Sequence, residues 1–349
     1  MLHFLLQKKL PFAIWSLPGS QKWQGIAQND SEVEKLDLKG IYTANGFIVA
    51  PFKSKDKVNL IRPDIEFNSD NFSLEIEIEE LETKPILTSP SEIPFIIEKA
   101  AYLESCSQLI STMKRGEAKK IVLSRVMAVS FDPDKLIRFY NALVEEHKNA
   151  MVFVYSTGDG IWIGASPEVF METKNNRFKT VALAGSKPAT DHSAWGQKEV
   201  DEQDYVTQYI KQKLRETGVV FDQSDLTTVS AGPVAHLQTE FTGKIDRDQL
   251  PIMIKKTHPT PAVCGIPKGN AMDLILEIEK HNRGDYTGFL GPVNRDDLQL
   301  FVNLRSALVT QNLLYLFIGG GITADSVPEK EWEETGLKAK TLIDCYKNC

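Results

Sequence analysis

Three short apolar runs, 151–156, 160–165 and 177–183, follow one another with Gly and Asp residues marking tight turns between them. Parallel strands need a crossover of about a dozen residues or more, usually a helix, so strands this close in sequence pair antiparallel. Further strands are expected near 226–230, 238–245, 298–309 and 313–318, and 120–129 (KIVLSRVMAV) reads as a largely buried strand. Helical periodicity covers 92–116, about 133–147, 198–216 and 329–346. The stretch 67–87 is acidic, with Leu74, Ile76 and Ile78 alternating at period two, and is expected to be a strand with one wet face. No repeat, low-complexity tract or Pro/Gly-rich linker divides the chain, so the expectation is one large α+β domain.

Composition narrows the function classes. At 349 residues, 42% hydrophobic and 25% charged, the chain has soluble-globular composition, and no apolar run approaches the ~18 residues of a membrane span. The opening MLHFLLQKKLPFAIWSLPGS is interrupted by Lys8 and Lys9 and is not read as a signal peptide. Cys106, Cys264, Cys345 and Cys349 form no CxxC pair, which disfavours a zinc site or a disulfide framework and fits a reducing cytoplasm. A formal charge of -7 argues against nucleic acid as a partner; an anionic small substrate would need cations gathered locally.

Two helices carry acids where core residues belong. In KEVDEQDYVTQYIKQKLRET the apolar stripe Val206, Ile210, Leu214, extended backwards, lands on Glu202 and Glu199. The alternative is that both simply favour the helix dipole in a solvated first turn. The closing helix repeats the pattern with Glu331, Glu334, Lys338, Leu342 and Cys345. Four carboxylates converging on an interior site would repel one another unless a hard divalent cation held them, and oxygen-only ligation points to Mg²⁺. The glycines at 319, 320 and 321 end an apolar strand and would let the backbone approach an anion, although a plain hairpin or bulge would need them too. LAGSK (183–187) offers similar access. Arg305 interrupts an apolar strand and requires an anion, either a protein carboxylate or a substrate.

In chain order, KIVLSR (120–125), GASPE (164–168), LAGS (183–186), HPTPA (258–262), RGDYTGFLG (283–291), LRSA (304–307), GGGI (319–322) and EWEETGLK (331–338) resemble the chorismate-binding family. That family comprises anthranilate synthase component I, aminodeoxychorismate synthase component I, isochorismate synthase and salicylate synthase. The resemblance covers residues 95–349, leaving 1–94 as a variable N-terminal part that completes the same domain. It implies two large antiparallel β-sheets packed face to face with helices outside, and an Mg²⁺ that binds the ring carboxylate of chorismate. By motif position Glu202 and Glu334 correspond to direct metal ligands, with Glu199 and Glu331 as their companions. Arg305 and Tyr286 fall where the family grips the enolpyruvyl carboxylate, with Gly319, Gly320 and Gly321 as backbone donors. Ser186 and Ala262 stand in substrate-binding motifs, and Gly185 and Lys338 sit near the ring carboxylate and metal. His236 takes the family's active-site histidine position, where a satisfied structural histidine is the plainer reading.

The resemblance also bears on the branch. Lys120 stands where isochorismate and salicylate synthases carry the lysine that deprotonates water, and Glu168 matches the acid that protonates the departing C4 hydroxyl. On the strand alone, Lys120 would pass for a solvated residue and Glu168 for an exposed turn residue. Ala184 stands where aminodeoxychorismate synthases often place a nucleophilic lysine. An Mg²⁺-dependent isochorismate synthase is therefore implied, feeding menaquinone or siderophore biosynthesis, monomeric by default, with no glutamine amidotransferase subunit. Salicylate synthase, which shares the lysine, is the alternative within the family; a silent metal-binding relative is the alternative outside enzymes. Two departures stand out: Gln203 follows Glu202 where the family often has His, and Val263 follows HPTPA where Leu is common.

Overall fold

The run Met151–Ser156 is buried from end to end because its two faces serve two cores. Met151, Phe153 and Tyr155 point into one apolar cluster, Val152 and Val154 into another, as period-two alternation requires. In the computed structural model, residues 2–71, 87, 90–232, 234–295 and 297–349 are described. Their strands are β1 (Phe12–Ser16), β2 (Gln24–Ala27), β3 (Glu34–Asp37), β4 (Asn45–Ala50), β5 (Lys57–Ile61), β6 (Ile65–Asn68), β7 (Lys120–Ser130), β8 (Met151–Ser156), β9 (Ile161–Ser166) and β10 (Val169–Lys174). They continue with β11 (Arg177–Pro188), β12 (Phe221–Gln223), β13 (Thr227–Ala231), β14 (Val234–Lys244), β15 (Gly265–Ile266), β16 (Phe289–Asn294), β17 (Asp297–Val302), β18 (Ser306–Val309) and β19 (Leu313–Ile322). The helices are α1 (Leu2–Lys8), α2 (Lys99–Lys114), α3 (Leu136–Glu146), α4 (Gln197–Thr217), α5 (Gln249–Thr257), α6 (Lys268–Ile278) and α7 (Pro328–Lys347).

Among the described residues the strands form two antiparallel sheets, in the orders β15-β7-β19-β18-β9-β8-β1-β2-β6 and β12-β14-β11-β10-β17-β16-β4-β5-β3, with β13 beside β14. Their facing sides share one core: Trp15, Phe153 and Phe317 from the first sheet meet Phe47, Leu290 and Phe301 from the second. Truncating such a residue, Phe153→Ala for example, would cost about 3–5 kcal/mol. The outer face of the first sheet is covered by α3 and α7 through Phe139, Leu143 and Leu342. α4 and α5 cover the second through Val206, Ile210, Leu214 and Met253, so the apolar stripe of α4 is buried as its spacing predicts. The first 71 residues supply strands to both sheets.

One expected strand is two. The run 298–309 breaks at Asn303–Arg305: β17 belongs to the second sheet and β18 to the first. Arg305 adopts a left-handed backbone (φ 48) at the break. The neighbouring chain makes the same passage, since β9 pairs with β18 while β10, beginning three residues after β9 ends, pairs with β17. A two-stranded ribbon thus bends from one sheet into the other, stitched by Val302 N–H to Glu168 O (2.9 Å) and Ala165 N–H to Arg305 O (3.1 Å). β18 is buried throughout, whereas Asp297 and Gln299 leave one face of β17 partly exposed, and the polar residues Asn303 and Arg305 stand at the bend itself.

Other boundaries moved for local reasons. The helix expected from residue 92 starts at Lys99: Pro94 disfavours helix at residue 93, and residues 93–98 carry no helical backbone. Of the strand expected over 67–87, residues 67–68 belong to β6, and Leu74, Ile76 and Ile78 lie outside the described residues. The glycines 319–321 do not turn: β19 runs through them to Ile322, paired with Ile121 to Ser124 of β7.

Candidate active site at the bend between the sheets

The bend places functional side chains in the short links between strands. Glu168, two residues past the end of β9, is 3% exposed. Burial pushes its carboxyl up to about 8 against the opposing pull of Lys120 and Lys338, so it holds a proton at neutral pH. Lys120 opens β7 yet is 1% exposed, with its ammonium 2.8 Å from Glu202 Oε1. Adjacent Lys119 takes the exposed position. Burial raises the pKa of Glu202, but Lys120 outweighs it, with help from Lys338 and Lys198, and the carboxyl ends below its usual value.

Three of the four helix acids come together. At Gly320 a Cβ would sit 3.6 Å from Glu331 Oε2 and 3.7 Å from Glu334 Oε1, and at Gly321 a Cβ would collide with the Glu202 carboxylate and lie 3.0 Å from Lys120 Cε. At Gly321 only glycine leaves room for these groups, whereas at Gly320 a methyl would make ordinary contacts. Each acid is neutralised by a lysine: Glu202 by Lys120, Glu331 by Lys198 (2.7 Å) and Glu334 by Lys338 (2.7 Å). Glu199 departs from expectation. Half-buried in the first turn of α4, it turns its carboxylate back against Gly196, the position of dipole stabilisation rather than of the cluster.

Among the described residues no group of three His, Cys, Asp or Glu side chains is drawn tightly enough to enclose a metal ion. The donor set nevertheless fits a hard divalent cation. It is all carboxylate oxygen, converging around Gly320 and Gly321, and Glu331 Oε2 is buried without a hydrogen-bond partner. Burial and then Glu334 raise the Glu331 pKa, against the opposing pull of Lys198 and Ser326.

The cationic end is built from Arg305, which donates to Thr341 Oγ1 (3.1 Å) and to His236 Nε2 (3.0 Å). His236 Nδ1 lies 2.9 Å from Gly185 O. Since a carbonyl only accepts and a guanidinium only donates, Nδ1 carries the proton and Nε2 accepts. Burial, then Arg305 and Lys338, hold this histidine down at about 3, so it stays neutral. Burial also lowers the Arg305 guanidinium to about 10, which leaves it charged at neutral pH. Gly185 meets this histidine with a left-handed backbone (φ 67), packed against Glu199.

One cavity unites most of the expected residues. It is lined by Lys120, Glu168, Gly185, Ser186, Glu202, His236, Ala262, Tyr286, Arg305, Gly319, Gly320, Gly321 and Lys338. Glu331 and Glu334 stand beside Gly320 at its margin, while Glu199 packs against Gly185 with its carboxylate turned away toward Gly196. Beyond Phe317, β19 pairs only with β7, because β18 begins at Ser306. Lys338 Nζ donates to Gly319 O (3.0 Å) on that open side, so Gly319 and, two residues on, Gly321 present their amides there. Tyr286, 3% exposed, points its hydroxyl at Gly319. Val122, Val263, Thr287 and Leu304 also line the cavity. Lys198 and Thr341 went unread in the sequence, although Thr341 extends the stripe Glu334, Lys338 by three residues.

A family model described as chorismate binding enzyme matches residues 50–346. The isochorismate synthase EntC of Escherichia coli (strain K12) is 27% identical over 266 residues, 72% of this chain and 68% of that protein. The isochorismate synthase MenF of Bacillus subtilis (strain 168) is 30% identical over 268 residues, 71% of this chain and 55% of that protein. The matches therefore span about two thirds of the first relative and just over half of the second. In fold, the chain is similar to the menaquinone-specific isochorismate synthase MenF from Escherichia coli, with a TM-score of 0.79 at 19% identity over 99% of this chain and 91% of that one.

Proposed function

The chain belongs to the chorismate binding enzyme family, and we propose that it is an isochorismate synthase, converting chorismate reversibly to isochorismate with Mg²⁺ as its metal. The observation that carries this reading is the pairing, on one cavity, of a buried lysine with a buried carboxyl that keeps its proton at neutral pH. Addition of water at C2 with loss of the C4 hydroxyl needs a base and an acid, and Lys120 and Glu168 are the matching groups.

Glu202 and Glu334 would hold the Mg²⁺, with Glu331 beside them; when bound, the ion supplies positive charge for the ring carboxylate of chorismate. Arg305 and Tyr286 grip the enolpyruvyl carboxylate, and the amides of Gly319 and Gly321 complete that hold. Lys120 takes a proton from the attacking water. Glu168 gives its proton to the departing C4 hydroxyl, so one water enters, one leaves, and the ring double bonds shift between the two carbons. The reverse reaction uses the same groups with their roles exchanged.

Ala184, lining the cavity in place of a lysine, supports water rather than a covalent adduct as the route. The protein then needs no amidotransferase subunit. Every role is filled from one chain, which supports a monomer, and the strands that residues 2–71 add to both sheets support a single domain. Relatives named for menaquinone, for vibriobactin and for salicylate biosynthesis all appear, and for this chain we propose supply of menaquinone or siderophore biosynthesis. The test is chromatography of a reaction with chorismate and Mg²⁺. Isochorismate should approach a stable ratio with chorismate, chelation should stop turnover, and ammonium salts should yield little anthranilate. Accumulation of salicylate and pyruvate faster than isochorismate decays alone would make the protein a salicylate synthase instead.

A further inference from the structure

Three lysines match three acids around Gly320 and Gly321, and two of them, Lys120 and Lys338, line the cavity where substrate would bind. The third, Lys198, does not. It is the second residue of α4, in the first turn, where the positive end of the helix dipole disfavours a cation. Local helix physics therefore gives no reason for a lysine there. Its partner does: Lys198 Nζ is 2.7 Å from Glu331 Oε1, with side-chain exposures of 31% and 2%. One oxygen of the carboxylate is thus held by a long, partly solvated side chain, the Ser326 hydroxyl lies close enough to lower the pKa of the acid, and Oε2 is buried without a hydrogen-bond partner on the side of Glu334.

We propose that Lys198 competes with a divalent cation for Glu331 and so sets the affinity of the carboxylate site, an inference that rests on the metal reading above. The argument is one of charge and reach. A cation drawn to Glu331 Oε2 and Glu334 meets the ammonium on the neighbouring oxygen, and the two positive charges repel at close range. Lys198 can yield, because its flexible stem already reaches water and its head is readily hydrated there. Until it yields, the acid is neutralised and shielded from Glu334. The cost to the protein is weaker metal binding; the gain is that the buried Glu331 is never left uncompensated beside Glu334.

Mn²⁺, which is visible by electron paramagnetic resonance, is the probe. Titrated into wild type, Lys198→Met and Lys198→Arg, it should bind Lys198→Met at least ~10-fold more tightly than wild type. Lys198→Arg, which keeps the charge, should stay within about twofold of wild type. Lys198→Gln repeats the measurement with a neutral polar side chain if Lys198→Met does not fold. Lys211→Met, on an exposed face of the same helix, should bind as wild type does. Wild-type binding that Glu334→Gln weakens, but that neutral variants at 198 leave unchanged or weaken, overturns the role of Lys198 alone. Absence of Mn²⁺ binding by wild type overturns the metal reading and this inference with it.

Discussion

Glu168→Gln isolates the effect of a buried, protonated acid on folding. The carboxyl moves from an ordinary 4.5 to about 8, with burial as the main cause. At 1.36 kcal/mol per pKa unit that difference corresponds to about 5 kcal/mol. Below the lower value both folded and unfolded chains carry the proton, and pH has no effect through this group. Between the two values the unfolded chain ionises while the folded one does not, so stability falls as pH rises; above about 8 both are ionised and the loss is complete. Glutamine keeps the shape and the neutral polarity without titrating. Urea denaturation of both proteins in chelator at pH 5.5 and pH 8.5 should show wild type losing about 3 kcal/mol relative to Glu168→Gln across that interval. Turnover should be at least ~100-fold lower in the variant, and the wild-type rate should fall as pH passes about 8, where the acid is lost. If the two stabilities run parallel with pH, Glu168 is ionised in the folded protein and is not the acid.

Lys120→Ala should lower turnover by at least ~100-fold in both directions while leaving the circular dichroism spectrum unchanged; near-normal turnover would mean that another group is the base. His236 should show the ¹⁵N shifts of a neutral ring protonated at Nδ1 throughout pH 5–8, since both its nitrogens are engaged and burial holds it at about 3. His236→Ala, which frees the Arg305 guanidinium to move, should raise KM for chorismate more than it lowers kcat, and a histidine signal titrating near pH 6.5 would refute this assignment.

The acid-bearing stripes of α4 and α7 were legible because burial on a helix follows a 3.6-residue period, and Val206, Ile210 and Leu214 fix the phase. The period could not say that Glu199 curls back to its own helix terminus while Glu331 goes inward, since both occupy first turns. Strands β8 and β9 were legible from tight turns, but the break inside 298–309 was not, because Phe301 and Leu308 face the same inter-sheet core from opposite sheets. The buried state of Lys120 is likewise invisible in the strand that carries it; it depends on Glu202 arriving from a helix 82 positions later, as the numbering of the two residues shows. Residues 2–68 escaped because short strands such as β3, exposed along most of its length, carry little alternation to read.

The bent ribbon bears on how such a site tolerates change. Glu168 and Arg305 ride on adjacent strands stitched within a few residues of both, at Val302 and Ala165. The spacing between proton donor and carboxylate clamp is therefore a short-range property, indifferent to how firmly two large sheets press together elsewhere. Replacements scattered through the distant strands or outer helices can accumulate, each nudging one layer over the other, while this pair travels as a unit. Lys120 has no such insulation: it reaches the pair only across β19, so drift in the layers would register first as a mismatch between base and acid rather than as a loosened grip on the substrate.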